Sequence, residues 1–292
     1  MVEVKCPLCG SERTTRWKKG NFDYSKAEAE NFKITDSDYG LFPDFLKCEV
    51  CGLRFAENMP TPSQLAKLYS QVEDPEYERE AEGRGENFKR IIRFLRKIKP
   101  GGRLLDVGAA TGIFMEIARK QGWDVYGIEA SLWAANRAKE KGLDVWQGDF
   151  LQFSSREKFD IITMLDIIEH MAKPGLAFKK ANHLLKPGGI LVITTPDVES
   201  FTARVLGKRW WHLRPAHVNF FSRKTLSWAA HNFGFRILKF RTYVWNFSLH
   251  YLITRFSWGR RYFDREWLKK IKLKLFLFDS LEAYLEKLPE SP

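Results

Sequence analysis

The sequence predicts an α/β fold with a doubly wound, largely parallel sheet, and three of its features support this. An apolar run with an acid near its end occupies residues 104–107, and the small-residue turn at 108–112 leads straight into a helical pattern. A strand buried in a parallel sheet reads as a continuous apolar run, and small residues in the next turn let the backbone approach a ligand closely. Further apolar runs then alternate with helical patterns as far as residue 196.

The elements of this sheet are expected in a regular order. After the first strand, strands are expected at 123–129, directly before 147, at 158–166, within 184–196 and at 235–244. Helices are expected at 87–98, where apolar residues recur at helical spacing, at 113–121, and at 223–232, where Ser222 is a suitable N-cap. Thr61, Pro62 and Gln64 predict another helix start, with a capping box.

The turn after the first strand is not a dinucleotide fingerprint. That fingerprint, G-x-G-x-x-G, cradles a pyrophosphate with backbone N–H groups. Here Gly108 and Gly112 flank Ala110, and Asp106 stands two residues before the first glycine. A carboxylate at that place would repel a pyrophosphate but suits a cationic ligand.

This arrangement resembles motif I of the class I S-adenosylmethionine (SAM) methyltransferases, D-x-G-x-G-x-G, with Ala110 in place of the middle glycine. The stretch LLKPGG at 184–189 is also typical of that group, and the resemblance covers about residues 100–242. It implies a Rossmann-like fold and SAM as cofactor. An acid at the end of the second strand binds ribose hydroxyls in such folds. The cofactor-binding residues that it implies are Asp106, Gly108, Ala110, Gly112, Glu129, Asp149, Phe150 and Leu165. The alternative is a doubly wound domain for another nucleotide.

Four cysteines form two C-x-x-C-G knuckles near the N-terminus, and 38 residues separate the knuckles. This spacing predicts a closed, structural Zn²⁺ site in a zinc-ribbon-like domain, with Cys6, Cys9, Cys48 and Cys51 as ligands. Two disulfides are the alternative. Residues 1–5 do not resemble a signal peptide, so we expect a cytoplasmic chain with reduced thiols, which favours zinc.

The two knuckles resemble the zinc-binding N-terminal domain of some bacterial and archaeal methyltransferases, including sugar C-methyltransferases. The resemblance implies that this domain helps to close over the acceptor. Residues 32–40, within the insertion, could reach the acceptor site or form an ordinary surface loop.

The positive charge is concentrated in the last third of the chain. Residues 201–292 hold 18 Lys and Arg against 6 Asp and Glu, which accounts for the whole net charge of +12, and they hold six of the ten tryptophans. Such a segment suits an anionic partner: an anionic membrane surface, a phosphorylated small molecule or, with weaker support, nucleic acid. The sequence contains no run of 18 or more apolar residues, so it predicts no membrane-spanning helix.

These patterns divide the chain into four predicted parts. They are a zinc-ribbon-like domain (1–60), a helical linker or lid (61–100), the SAM-binding domain (101–244) and a basic aromatic C-terminal segment (245–292). The acidic stretch 73–82 is expected to be solvated, and 201–219 to be irregular. A seventh strand could lie at 272–278, and residues 279–287 are expected to be helical.

A first group of candidate catalytic residues follows the fourth strand. The Glu169–His170 pair there resembles a feature of ubiquinone-pathway O-methyltransferases, in some of which acids at i and i+3 hold a divalent cation. Asp166 and Glu169 keep that spacing. Direct catalysis by His170 is one hypothesis and metal ligation is another. The third is a capping role for Glu169 and His170.

The second group is the stretch around His212 and His217, which resembles an H-x-x-x-F-S segment over the acceptor pocket in the same group of enzymes. His217 is a candidate general base because imidazole titrates near neutral pH. It could instead hold the loop on the core. Trp210 and Trp211 could stack on an acceptor or fill the core.

The leading hypothesis is therefore a methyltransferase that acts on oxygen or carbon of a small-molecule or lipid-linked acceptor: a sugar, a glycolipid intermediate or a quinone-like compound. An RNA methyltransferase is the first alternative, but the N/D-P-P-Y/F motif is replaced by LDII at 165–168, and the zinc module is not basic. The second alternative is a SAM-binding membrane-surface or assembly factor without turnover, since cationic and aromatic segments can lie on a membrane. A peripheral membrane location suits either the methyltransferase of the leading hypothesis or the factor without turnover.

Overall fold

The computed structural model describes residues 4–35, 40–254, 267–268 and 271–289. The N-terminal part begins with a small antiparallel sheet and continues into helices. Its elements are β1 (Thr14–Lys18), β2 (Phe45–Cys48), β3 (Arg54–Ala56), α1 (Pro62–Ser70), α2 (Pro75–Arg79) and α3 (Ala81–Ile98). Short 3-10 helices at Tyr24–Lys26 and Ala29–Phe32 lie in the insertion between β1 and β2.

The middle of the chain alternates strands and helices. These elements are β4 (Gly102–Val107), α4 (Ile113–Lys120), β5 (Trp123–Glu129), α5 (Leu132–Glu140), β6 (Asp144–Gln147), β7 (Phe159–Leu165), α6 (Pro174–Leu184) and β8 (Leu185–Pro196). A 3-10 helix at Ile168–His170 follows β7. The predicted elements of this region are confirmed to within a few residues because buried apolar strands and amphipathic helices have different periods.

The C-terminal part returns to the same sheet. Its elements are α7 (Phe201–Leu206), β9 (Asn219–Phe220), α8 (Arg223–Asn232), β10 (Phe235–Thr242), β11 (Trp245–Ser248), α9 (Leu249–Thr254), β12 (Lys272–Leu275) and β13 (Ser280–Lys287), with a 3-10 helix at Gly207–Arg209. Within the predicted basic aromatic C-terminal segment, residues 255–266 and 269–270 lie outside the described part of the chain.

The central sheet has seven strands in the order β10-β13-β8-β7-β4-β5-β6. The pairs from β8 to β6 are parallel, whereas β13 is antiparallel to both of its neighbours. Apolar residues pack on both faces of the sheet in two clusters. The predicted Rossmann-like, doubly wound α/β fold is confirmed.

The helical expectation for residues 279–287 is wrong, since Ser280–Lys287 is the seventh strand. Helix-forming residues are common there, but both faces of this strand are buried in the sheet, and tertiary packing overrides the local preference. Glu282 is fully buried and pairs with Arg90 at 2.5 Å and Arg241 at 3.2 Å. The alternative seventh strand at 272–278 instead contributes β12, which pairs with β11 in a separate ribbon.

Two expectations about loops are also wrong. The acidic stretch 73–82 is not simply solvated: Asp74 caps α2, Glu80 accepts a hydrogen bond from Ser248, and both are buried because they satisfy buried donors. The irregular segment expected at 201–219 begins with α7, whose N-cap is Ser200. The cap of α1 and its capping box are as expected.

Strand β9 joins the N-terminal sheet to the central domain. It pairs with β3, so the small sheet has the order β1-β2-β3-β9. The backbone on the N-terminal side of β9 continues this link, because Val218 donates to Glu169 at 3.0 Å and accepts from Ala56 at 2.9 Å. The four-part division of the chain stays a prediction. The small sheet combines three strands from the first predicted part (1–60) with one from the third (101–244).

Within the ranges that the structure describes, no helix combines the length and the apolarity needed to span a bilayer.

The first cysteine knuckle packs on the start of α6 at Gly175. A Cβ at Gly175 would lie 2.4 Å from the carbonyl oxygen of Leu8, which is closer than real contacts allow. We therefore expect Gly175→Ala to lower the free energy of unfolding by roughly 1–3 kcal/mol, as over-packing does elsewhere. Urea denaturation measures this. Lys179→Ala, on an exposed position of the same helix, is the control, and equal stability of the two variants would contradict the expected contact.

Candidate functional site

A cavity of about 690 Å³ lies at the carboxyl ends of the central strands. Ligands of open α/β sheets bind at this edge. Most of the area around the cavity is apolar. Aromatic and aliphatic side chains come from the insertion, the linker helices, the central domain at positions 211 and 243, and the C-terminal segment. These residues are Phe32, Ile34, Leu65, Tyr69, Tyr77, Phe88, Trp211, Tyr243, Trp245, Leu275 and Leu277. Thus residues 32 and 34 of the insertion do reach the cavity, and residues 36–39 lie outside the described part of the chain.

The turn after β4 brings backbone to the cavity. Gly108 and Ala110 have positive φ values of 77° and 48°, and both line the cavity. An alanine in the left-handed region is uncommon, which fits its place where the family pattern has glycine. Thr111 also lines the cavity, and its buried Oγ1 has no hydrogen-bond partner in the part of the chain that the structure describes. The turn therefore offers an unused polar atom to a ligand.

Glu129 lies at the end of β5 and faces the same cavity. Its two carboxylate oxygens accept hydrogen bonds from the backbone N–H groups of Ala110 and Ser131, each at 2.8 Å. Burial raises the pKa of this carboxyl. The remaining lone pairs can accept hydrogen bonds from ligand hydroxyls.

Of the other predicted cofactor residues, three line the cavity and two do not. Asp149, Phe150 and Leu165 line the cavity. Asp106 and Gly112 are not among its lining residues: the first lies beneath the turn, and the second is the N-cap residue of α4.

Asp106 is held from below by Thr163. The Thr163 hydroxyl donates to Asp106 at 2.6 Å, and burial raises the pKa of Asp106 to about 7. Glycine is favoured at position 112 by its backbone, since its φ of 82° lies in the left-handed region, and a Cβ there would also displace the Leu143 side chain. Direct contact of these two residues with a cofactor stays a prediction.

The structure brings His170 and His217 together, with ring centroids 4.8 Å apart. The Nδ1 of His170 lies 2.9 Å from the carbonyl oxygen of Ala216, and the Nδ1 of His217 lies 2.8 Å from that of His212. A carbonyl oxygen only accepts hydrogen bonds, so each Nδ1 carries the proton and each Nε2 has a free lone pair.

Burial keeps both of these imidazoles neutral. It lowers the pKa of His170 to about 3 and that of His217 well below its usual value, and the neighbouring Arg214 acts in the same direction. Tyr69 adds a contact at 2.7 Å to the Nδ1 of His170. The rings are thus held in one tautomer by their backbone partners.

Glu169 completes this cluster, which we call the Glu-His-His cluster (Glu169, His170 and His217). One ligand atom from each lies within 4.8 Å of the others. Glu169 is buried and accepts a hydrogen bond from Thr195 at 3.0 Å, and burial together with nearby Asp166 raises its pKa well above the usual value. Such a set suits either proton transfer or a divalent cation.

Asp166, the other acid proposed for metal ligation, also lines the cavity. It accepts a hydrogen bond from the Thr194 hydroxyl at 2.8 Å, and it is not a member of the cluster above.

Asp279 was missed in the sequence. This fully buried carboxylate accepts hydrogen bonds from the indole N–H groups of Trp211 at 2.8 Å and Trp245 at 3.1 Å, and it pairs with His212 Nε2 at 3.0 Å. These hydrogen bonds hold the pKa of Asp279 below its usual value despite burial. No signal in the sequence marked it, because Asp279 directly precedes β13, which was expected to be a helix. Of the two neighbouring tryptophans, Trp210 fills the core and Trp211 lines the cavity.

The four cysteines meet in the N-terminal module. Sγ–Sγ distances are 3.5 Å for Cys6–Cys51 and for Cys9–Cys48, and all four sulfur atoms lie within 4.8 Å of one another. Tetrahedral Zn²⁺ with Zn–S bonds of about 2.3 Å requires S–S edges of about 3.8 Å. The thiols are free rather than disulfide-bonded. The donor set and spacing therefore fit a closed zinc site.

Comparison with known proteins gives a family for more than half of the chain. The methyltransferase domain family matches residues 77–239. The ubiquinone biosynthesis O-methyltransferase of Azorhizobium caulinodans is 30% identical over 143 residues, which are 45% of this chain and 56% of that protein. The protein of the same name in Caulobacter vibrioides is 35% identical over 103 residues, 32% of this chain and 41% of its own length. The chain thus spans about half the length of the curated relatives it matches.

A solved structure shows the same fold. A SAM-dependent methyltransferase from Thermotoga maritima superposes with a TM-score of 0.50 at 23% identity, and the match covers 73% of this chain and 94% of that one.

Metal content and stability test whether the four cysteines hold a structural zinc. We expect the purified chain to hold about one zinc ion, and Cys48→Ser to lose the zinc and several kcal/mol of stability, because ligand binding and folding are coupled in such sites. Metal analysis and thermal denaturation measure both effects. Glu49→Ser, an exposed change within the same knuckle, is the control. A wild type that holds no zinc and is no more stable than Cys48→Ser would exclude a structural zinc.

Proposed function

The chain belongs to the methyltransferase domain family, and we propose that it transfers a methyl group from SAM to an oxygen or carbon of a small-molecule or lipid-linked acceptor. Oxygen is favoured because relatives of this chain are named O-methyltransferases. In this proposal, the cavity holds the cofactor and the acceptor together, and His217 removes the acceptor's proton.

The cofactor half of the cavity is assigned by its polar groups. When bound, SAM supplies an electrophilic methyl group on a sulfonium. We assign Glu129 to the ribose hydroxyls, since its carboxylate is fixed by two backbone N–H groups and still has lone pairs. The unpartnered Thr111 hydroxyl and the turn at Gly108 and Ala110 are assigned to the rest of the cofactor. Asp149 and Phe150 are assigned to the adenine side.

The observation that carries the assignment of a base is the tautomer of His217. Its Nδ1 proton is committed to the His212 carbonyl at 2.8 Å, so Nε2 can accept a proton without any change of tautomer. Burial lowers the pKa of His217 and keeps the ring neutral, so the form that accepts a proton is present at physiological pH. The same shift makes this imidazole a weaker base than one that titrates near neutral pH. A positioned imidazole that accepts a proton in the transition state accelerates such reactions.

Glu169 and His170 are proposed to complete the site. The raised pKa of Glu169 allows it to share a proton with the imidazoles, and His170 lies beside His217. The same three side chains offer a ligand set for a divalent cation, which would orient an acceptor hydroxyl and lower its pKa. Assays with Mg²⁺ and with a chelator separate these two roles.

The acceptor half of the cavity is apolar and aromatic. Trp211, Tyr243, Trp245, Leu275 and Leu277 contribute to its lining, and such side chains bind an aromatic ring or an aliphatic chain better than a free sugar. We therefore favour a quinone-like phenol or another lipid-linked acceptor among the candidates. A sugar on a lipid carrier is the second choice.

The test is transfer of a labelled methyl group from SAM to a catechol with an isoprenoid tail, to a nucleotide-linked sugar and to a lipid extract. We expect transfer to a lipid-linked acceptor. His217→Gln should lower kcat by roughly 100- to 10,000-fold, the usual contribution of a general base, and leave SAM affinity unchanged.

The matched control is His231→Gln, an exposed position on α8, which should keep full activity. SAM binding with no transfer to any acceptor would favour the factor without turnover. Full activity of His217→Gln would refute its role as the base.

A further inference from the structure

A group of large apolar side chains lies exposed beside the cavity. Among the residues that the structure describes, Phe201 is 76% exposed, Val205 65%, Phe276 54% and Phe278 58%. We call these four residues the apolar patch. Single exposed apolar residues are ordinary, whereas a contiguous group of them marks a binding surface.

The two segments that carry the patch are joined. The Thr202 hydroxyl of α7 donates a hydrogen bond to the carbonyl oxygen of Leu277, and the rings of Phe276 and Phe278 have centroids 6.4 Å apart. Thr202 and Leu277 are direct neighbours of patch residues, so the four exposed side chains come from one surface. Other exposed apolar residues, such as Leu132 and Leu176, lie on separate helices.

Cations accompany this patch, and acids are absent from its two segments. Residues 201–209 and 271–278 contain five Lys and Arg and no Asp or Glu. These cations are exposed: Arg204, Lys208, Arg209, Lys272 and Lys274. Lys274 lies over the ring of Phe276 at 5.4 Å, and Lys272 pairs with Glu82 at 2.8 Å. Apolar and cationic side chains on one surface are the combination that anionic bilayers bind.

The same segment also lines the cavity. Leu275 and Leu277 line it, whereas Phe276 and Phe278, which alternate with them, are exposed. Arg209 belongs to the cavity lining as well. The patch therefore lies at the rim of the acceptor half of the cavity.

We infer that this surface docks the protein on an anionic lipid bilayer, with the apolar patch inserted among the lipids and the exposed Arg204, Lys208 and Lys274 on the headgroups. The inference rests on the proposed function and adds the route of the acceptor, which enters the cavity from the bilayer. A second copy of the chain is a poor occupant, because a symmetric contact would place this cationic surface against itself. Aliphatic Val205 also offers nothing to nucleic acid, which stacks on aromatic faces.

The experiment is sedimentation of the full chain with phosphatidylcholine vesicles, with and without phosphatidylglycerol. We expect the wild type to sediment with the anionic vesicles. The triple variant Phe201→Ser, Phe276→Ser and Phe278→Ser should bind about tenfold more weakly or worse, since each buried phenyl ring contributes to the apolar transfer free energy. Lys208→Gln and Lys274→Gln should each weaken binding about fivefold at low salt.

Leu132→Ser, at a position 55% exposed on α5, is the matched control and should bind as the wild type does. Calorimetric SAM binding by every variant shows that the cofactor site is intact, which separates failure of this inference from failure of the proposed function. Wild-type protein that stays in the supernatant with both kinds of vesicle overturns the inference. A triple variant that sediments like the wild type overturns it too, as does self-association or RNA binding in place of vesicle binding.

Discussion

The antiparallel pairing of β13 with β8 and β10 is the constraint on which the cavity depends. It brings the C-terminal segment back across the sheet and places Asp279 beside the cavity, where that residue anchors Trp211, Trp245 and His212. The His212 carbonyl in turn fixes the tautomer of His217. Glu282 within β13 is stable in the core only because Arg90 and Arg241 pair with it, and loss of one partner from such a buried group costs about 3–5 kcal/mol.

The zinc-ribbon-like module contributes to the same site from the opposite end of the chain. Its insertion lines the cavity with Phe32 and Ile34, and β3 pairs with β9, two residues after His217. Metal at the four cysteines would therefore stabilise the knuckles and, through β2 and β3, the segment that carries His217. Zinc bound there would affect catalysis only through the position of this segment, because a four-thiolate site is closed.

How much could be predicted from sequence differs between the two halves of the site. The turn at Gly108 and the acid Glu129 were found because cofactor binding relies on a short local pattern of small residues after a strand. The partners of Asp279 are 68, 67 and 34 residues away, so no local spacing marks them. Residues 280–287 were expected to be helical, but they form β13. A strand buried on both faces loses the alternation that identifies strands, and Glu, Leu and Lys favour a helix.

The central claim is that the cavity at the ends of β4 and β5 binds SAM. Isothermal titration of SAM and S-adenosylhomocysteine into the purified chain tests it most directly, with Glu129→Ala and the control Asp124→Ala, an exposed position on the same strand. We expect binding by the wild type and by the control, and an affinity roughly tenfold to a hundredfold weaker in Glu129→Ala, the usual loss for hydrogen bonds to a charged group. Absence of binding by folded, zinc-loaded wild type would contradict it.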